Sequence, residues 1–198
     1  MHAAILITAA YLCGSVPTGV VAGRAVGVDV RRTGSGNIGA TNVARTAGLR
    51  PAVLTLLGDL LKGLLPSLLA RFTLANHWQI AAVGLAAFFG HVFSVFLRFS
   101  GGKGVATGCG VFIALAPLAA AASAAVFVIT VAATRYVSVA SLLAALALPA
   151  ATATLGYPSA LVTAAFVVAL TVVVRHRSNL SRLRLGSEPR VDLWRLSA

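Results

Sequence analysis

Acidic residues are scarce in this sequence: four Asp and Glu stand against sixteen Lys and Arg, a formal net charge of +12. Charge of either sign is scarce too. It reaches 10% of residues, where soluble domains carry roughly 25%. The hydrophobic share is 59%. Together these exclude an ordinary water-soluble domain and point to a chain embedded in a membrane. The two cysteines, Cys13 and Cys109, lack metal-ligand spacing and are expected as unpaired buried thiols. No basic segment precedes the first apolar run, so residues 1–23 are expected as a span and not as a cleaved signal peptide. There is no internal repeat and no low-complexity linker, and residues 1–198 are expected to form a single membrane-embedded domain.

What is present are long runs without any Asp, Glu, Lys or Arg: residues 1–23, 72–97, 104–134 and 136–174. About 20 apolar residues cross a bilayer as a helix. Residues 3–23 and 79–97 make one span each, and 51–70 another despite Asp59 and Lys62 inside it. The other two runs are too long for single helices. At about 1.5 Å per residue, the 31 residues of 104–134 would reach about 46 Å against a hydrocarbon core of about 30 Å. Pro117 and Gly156-Tyr157-Pro158 fall near their middles and are expected as turns. The division is 104–116 with 118–133, and 137–155 with 158–174. The fold class expected is therefore all-α, a polytopic integral membrane protein with about seven transmembrane helices. The first pair is short, so five spans with a re-entrant hairpin is the other arrangement.

With seven spans, the polar segments 24–50, 98–103, 134–136 and 175–198 share one side and hold fourteen of the sixteen basic residues. The positive-inside rule makes that side cytoplasmic and the N-terminus external.

The stretch GSGNIG, residues 34–39, matches the dinucleotide fingerprint G-x-G-x-x-G, with Asp59 20 residues beyond Gly39. That fingerprint needs a strand before the glycines and a parallel sheet around them. Here membrane spans flank it, so the match is one of spacing only. Its chemistry still suits an anion. Gly34, Gly36 and Gly39 allow tight turns and close backbone approach, and successive N–H groups in such turns form an anion-binding concavity. Ser35, Asn37, Thr41 and Asn42 add neutral hydrogen-bonding groups, and Arg45 adds a guanidinium. A flexible loop whose charges only set topology is the plainer alternative.

RFSGGKGVATG, residues 98–108, lacks the Walker A spacing. Lys103 among Gly101, Gly102 and Gly104 at the start of a span still suits an anion. In TRYVSVAS, residues 134–141, Ser138 and Ser141 share a helix face. In RHRSNLSRL, residues 175–183, His176 and Asn179 do the same, and a histidine can serve as a base near neutral pH. His91, inside a span, is expected as a helix–helix hydrogen-bonder. Asp59 and Lys62, three residues apart in a span, are expected to pair. Arg182, Arg184, Arg190 and Arg195 form a basic tail suited to anionic headgroups. No metal-ligand cluster and no nucleophile elbow accompany these segments. A phosphate-bearing substrate handled at the cytoplasmic leaflet follows from this chemistry; the reaction does not.

The segments GSVPTG, GSGNIGATNVARTAG, DLLKG, GHVFSVFLRFSGGKGVAT, TRYVSVAS and HRSNLSRLRLGSEPR, in this order from residue 14 to 190, resemble those of the bacterial acyl-phosphate:glycerol-3-phosphate acyltransferases (PlsY type). Ser94 departs from the family's frequent proline, and Ser178 is a second departure at a tolerant position. The resemblance implies transfer of a long-chain acyl group from acyl phosphate to the 1-hydroxyl of glycerol 3-phosphate, giving 1-acyl-glycerol 3-phosphate and phosphate. This is the first step of phospholipid synthesis, and the resemblance implies no cofactor and no metal. It implies catalytic roles for Ser35, Arg45, Lys103, His176 and Asn179, and substrate-binding roles for Gly36, Asn37, Gly39, Thr41, Asn42, Gly101, Gly102, Gly104 and Ser141. Within these, Ser35, Asn37, Thr41 and the backbone of Gly36 and Gly39 would hold the acyl-phosphate head, and Arg45, Ser141, His176 and Asn179 would orient glycerol 3-phosphate. Glu188 would be structural. The partners implied are the two substrates, membrane lipid and a loosely associated acyl-phosphate-forming enzyme, with no nucleic acid; the location implied is the bacterial inner membrane. The alternative from another class is an importer or exchanger of an organic phosphate, which broken helices would suit, although no inverted repeat is visible. A structural membrane subunit docking an acidic partner is a third.

Overall fold

The structure, a computed structural model, describes residues 2–191. Arg195 of the basic tail lies outside the described residues. Among those described, every regular element is helical. In chain order they are α1 (His2–Ser15), α2 (Thr18–Arg24), α3 (Ala40–Ala47), α4 (Leu49–Thr73), α5 (His77–Val92), a single 3-10 turn (Val95–Leu97), α6 (Val105–Leu115), α7 (Pro117–Thr134), α8 (Val137–Thr154), α9 (Ser159–Arg175) and α10 (Arg177–Arg184). The chain divides into two compact units, one ending at Leu115 and the other beginning at Ala116.

Each of the seven apolar segments expected from sequence contains a helix. Five are long and apolar enough to cross a membrane: His2–Arg24 (α1 with α2), Leu49–Thr73, His77–Leu97, Pro117–Thr134 and Val137–Thr154. A sixth joins α9 to α10 through a bend of 52°. The seventh, α6, has 11 residues, about 16 Å of helix, and is short of a full crossing. The turns stand where the prolines and glycines put them. Pro117 opens α7, a position where its missing N–H costs nothing. Gly156, at φ +73, turns the chain between α8 and α9.

In the first unit, α1 packs on α5 and α4 on α6. Helices in lipid associate through small residues that let backbones approach. Gly14 and Gly90 do this for the first pair: a Cβ at Gly14 would overlap the Ala87 carbonyl, and one at Gly90 the Tyr11 carbonyl. Gly63 and Gly110 do it for the second, against Thr107 and Leu60. α4 is polar inward and apolar outward. Thr55, Asp59, Lys62 and Ser67 are buried, while Leu54, Leu57, Leu61, Leu65 and Leu69 are exposed, the arrangement a lipid solvent selects. In the second unit, α8 packs on both α7 and α9, and Ser123 on α7 donates to the Ala144 carbonyl at 2.7 Å.

Candidate active site

The segment between α2 and α3 has no regular structure, yet it is anchored. Val30 and Ile38 from the loop join Val20, Val43 and Ala52 in a buried cluster. Above it, one buried side chain organises the chain. Asn42, 2% exposed on the first turn of α3, donates from Nδ2 to the carbonyls of Val30 (2.9 Å), Thr33 (3.2 Å) and Asn37 (2.8 Å). Its Oδ1 accepts from the Ser35 N–H at 2.8 Å. Asn37 Oδ1 accepts from the Gly39 N–H at 2.9 Å, and the Gly36 N–H reaches the Thr33 carbonyl at 3.1 Å. Gly34 and Gly36 adopt φ +59 and +71, in the left-handed region that favours glycine.

Asn42 was expected among the substrate groups; its side-chain amide is engaged in four hydrogen bonds within the loop. The backbone N–H groups of Gly36 and Gly39 were expected to hold an acyl-phosphate head; both are engaged within the loop, where they set its shape. The side chains of Ser35, Thr41 and Arg45 remain on the exposed side of this segment. α3 starts at Ala40, and its N-cap Gly39 makes no side-chain capping hydrogen bond. Asp29 anchors the other end of the loop. Hydrogen bonds from Arg31, 3.1 Å from its N–H and 3.3 Å from Nε, hold the Asp29 carboxyl below the usual carboxylate range.

The segment after α5 is shaped by its own backbone. Arg98 and Phe99 both lie in the left-handed region, at φ 52 and 62, which is uncommon for residues with a Cβ and is found at sites that the surroundings over-determine. The Phe99 N–H to Ser94 carbonyl bond (2.8 Å) and the Ser100 N–H to Leu97 carbonyl bond (3.0 Å) hold them. Ser94 has φ −61, an angle a proline also adopts, and its hydroxyl donates to the Ser15 carbonyl on α1 at 2.5 Å. The glycines that follow lie flat on the end of α5: the Gly101 N–H donates to Val92 (3.2 Å) and the Gly102 N–H to His91 (3.0 Å). Lys103 is half-buried, and Gly104, at φ +84, leads into α6 at a point where a Cβ would overlap the Phe88 ring. Gly101 and Gly102 thus pin the loop by their N–H groups.

In the second unit, Ser138 and Ser141 are both buried on the first turns of α8. His176 stands at the bend between α9 and α10, 2% exposed. Its Nδ1 lies 2.8 Å from the Val172 carbonyl. A carbonyl accepts only, so Nδ1 carries the proton and Nε2 is the basic nitrogen of the neutral ring. Asn179, buried one turn on, donates to Glu188 Oε1 at 2.6 Å, and Arg182 Nε donates to Oε2 at 2.7 Å. Burial pushes the Glu188 carboxyl up, but the hydrogen bonds from Asn179 and Arg182 outweigh it and hold the group below its usual range. Val191 N–H donates to the Arg135 carbonyl at 2.8 Å, and Arg190 stacks on Tyr136 at 5.0 Å. Glu188 and these contacts fasten the segment after α10 to the turn before α8.

One group of contacts was only half legible in the sequence. The Asp59–Lys62 pair forms as expected, at 2.8 Å. Thr18, for which no role was expected, donates its hydroxyl to Asp59 as well. His91 reaches the same carboxylate from α5, with Nδ1 3.5 Å from Oδ1. The signal available was the presence of both Asp59 and His91 inside apolar segments.

Comparison with known proteins supplies what the geometry does not. A family model described as glycerol-3-phosphate acyltransferase matches residues 4–186. The glycerol-3-phosphate acyltransferase of Geotalea daltonii is 54% identical over 93% of this chain and 95% of its own. That of Geobacter sulfurreducens is 53% identical over 94% of this chain and 96% of its own. Among solved structures, PlsY (YgiH), described as an integral membrane glycerol 3-phosphate acyltransferase, matches in its glycerol 3-phosphate form with a TM-score of 0.95 and 39% identity, over 99% of this chain and 98% of that one. Its lysophosphatidic acid form matches with a TM-score of 0.92 and 38% identity. A helical chain with several membrane spans, matched nearly end to end by such relatives, belongs to the glycerol-3-phosphate acyltransferase family.

Proposed function

We propose that this protein transfers a long-chain acyl group from acyl phosphate to the 1-hydroxyl of glycerol 3-phosphate, releasing 1-acyl-glycerol 3-phosphate (lysophosphatidic acid) and inorganic phosphate. The observation that carries this is the match over 99% of the chain to a protein solved in glycerol 3-phosphate and lysophosphatidic acid forms, that is, with an acceptor and a product of such a reaction. An acyl-phosphate donor is supported by the cations and hydroxyls that the two polar loops carry, Arg45, Lys103, Ser35 and Thr41.

Arg45 and Lys103 neutralise substrate phosphate, and Ser35, Asn37 and Thr41 hydrogen-bond the acyl-phosphate head. Ser141, His176 and Asn179, with Arg45, orient glycerol 3-phosphate. The 1-hydroxyl oxygen attacks the acyl carbonyl carbon, the bond from that carbon to the phosphate oxygen breaks, and phosphate leaves with both electrons. The hydroxyl proton passes to His176 Nε2 or to a substrate phosphate oxygen. An acyl phosphate is an activated anhydride with a good leaving group, so proximity and charge neutralisation supply most of the rate. The acyl chain lies among membrane helices. The reaction takes place at the cytoplasmic face of the bacterial inner membrane, with the N-terminus external, in loose association with the enzyme that forms acyl phosphate.

The test is direct. Purified protein in lipid is given acyl phosphate or acyl-CoA together with labelled glycerol 3-phosphate. Lysophosphatidic acid is expected with acyl phosphate alone. Robust turnover with acyl-CoA would overturn the donor, and uptake of label into sealed vesicles without product would favour a transporter.

A further inference from the structure

The interior of the first unit holds a cluster that the reaction above leaves without a part. Asp59, Lys62 and His91 are 3%, 5% and 3% exposed, inside membrane-spanning helices. Lys62 Nζ bridges Asp59 Oδ1 at 2.8 Å and the Val16 carbonyl at 3.0 Å, and Thr18 donates to the same carboxylate. Neutralising a buried acid requires one cation and satisfied hydrogen bonds; Lys62 and Thr18 already provide both. His91 is surplus to that need. Its Nδ1 stands 3.5 Å from Asp59 Oδ1, an electrostatic contact longer than a formed hydrogen bond.

The other end of the ring explains its presence. A Cβ added to Gly102 would overlap His91 Nε2 and Cε1, so the bare backbone of Gly102 lies against the imidazole edge. The carbonyl of His91 also accepts the Gly102 N–H at 3.0 Å, and that of Val92 accepts the Gly101 N–H at 3.2 Å. His91 thus meets Gly102 with both its carbonyl and its ring, while its far nitrogen faces the buried ion pair. Two consecutive glycines otherwise leave a chain free to sample many conformations. A cation that must meet a phosphate at hydrogen-bond distance tolerates little of that freedom: misplacement by about 1 Å can cost about a hundredfold in rate.

We propose that His91 is a positioning residue for Lys103: seated beside the buried Asp59–Lys62 pair, its ring wedges against Gly102 and fixes the 101–104 loop so that the Lys103 ammonium is held in one place. This rests on the reading of Lys103 as a phosphate-neutralising group.

The experiment is a double-mutant cycle on the full chain in lipid, with acyl phosphate and glycerol 3-phosphate as substrates and kcat and KM normalised to folded protein. The variants are His91→Ala, Lys103→Ala and the pair together. His91→Ala is expected to lower kcat/KM about tenfold or more, and Lys103→Ala about a hundredfold. The double variant is expected to be no worse than Lys103→Ala alone, because a residue that acts through Lys103 has nothing left to position. Losses that multiply, or a silent His91→Ala, would overturn the proposal. If Lys103→Ala proves fully active, the phosphate role of the loop falls first, and the positioning role falls with it. Should His91→Ala fail to fold, His91→Asn keeps a polar group toward Asp59 while removing the ring from Gly102. The same cycle on that variant decides by the same criterion.

Discussion

The amide of Asn42 and the carbonyl of Asn37 lie 2.8 Å apart, and that hydrogen bond closes a loop whose shape depends on a single buried side chain. The other three bonds of the same amide reach Val30, Thr33 and Ser35. Removing it leaves several buried polar groups without partners, each costing about 1–3 kcal/mol. Asn42→Ala is expected to abolish activity and to open the loop to trypsin at Arg31 and Arg32. Asn42→Asp should be as damaging, because a carboxylate cannot donate to three carbonyls. Limited proteolysis alongside turnover checks this; an intact, trypsin-resistant Asn42→Ala protein with normal activity would refute the scaffold role.

Lys103 offers a second test. Lys103→Ala is expected to lower activity by roughly 3 kcal/mol, about a hundredfold, with membrane insertion unchanged. Lys103→Arg should recover it only partly, since a planar fork is larger than an ammonium and points its donors differently between glycines. If Lys103 merely set topology, Arg would substitute freely and Ala would be nearly silent, because Arg98 keeps the loop on its side. Turnover of both variants at matched folded amounts separates these outcomes.

Glu188 gives a pH dependence. Its carboxyl is held below the usual range by Asn179 and Arg182 against the effect of burial. A depressed folded-state pKa means that the stabilisation is fully present above the unfolded value, about 4.3, and is lost as pH falls through the folded value. Wild type should therefore exceed Glu188→Gln in thermal stability at neutral pH, by about 1–3 kcal/mol, and the gap should close in acid. A gap that widens below pH 4 would contradict the assignment.

Topology is open to labelling. Single cysteines at positions 2 and 187, in a background lacking Cys13 and Cys109, are expected to react with an impermeant reagent from opposite sides of sealed vesicles, position 187 from the basic side. Reaction of both from one side would remove the orientation.

Much of this protein was legible in one dimension, and the reason is the solvent. In lipid every backbone group must be satisfied within its own helix, so long charge-free runs can only be helices, and Pro117 and Gly156 mark where those helices stop. The four polar segments were legible for the same reason, since anything that is not helix must leave the hydrocarbon. What those segments do internally was not. The composition of residues 34–42 advertised donors for a substrate, but whether an N–H faces a ligand or the Asn42 amide depends on how the loop folds back over Val30 and Ile38. Likewise, Asp59 and Lys62 are neighbours along one helix and were paired by spacing alone, while His91, on another helix, joined them only because Gly14, Gly90, Gly63 and Gly110 bring α1, α4, α5 and α6 close together. Periodicity and length settle where a chain crosses the bilayer; which polar side chains meet is settled by the approach of helix backbones, and that distance is set by tertiary packing.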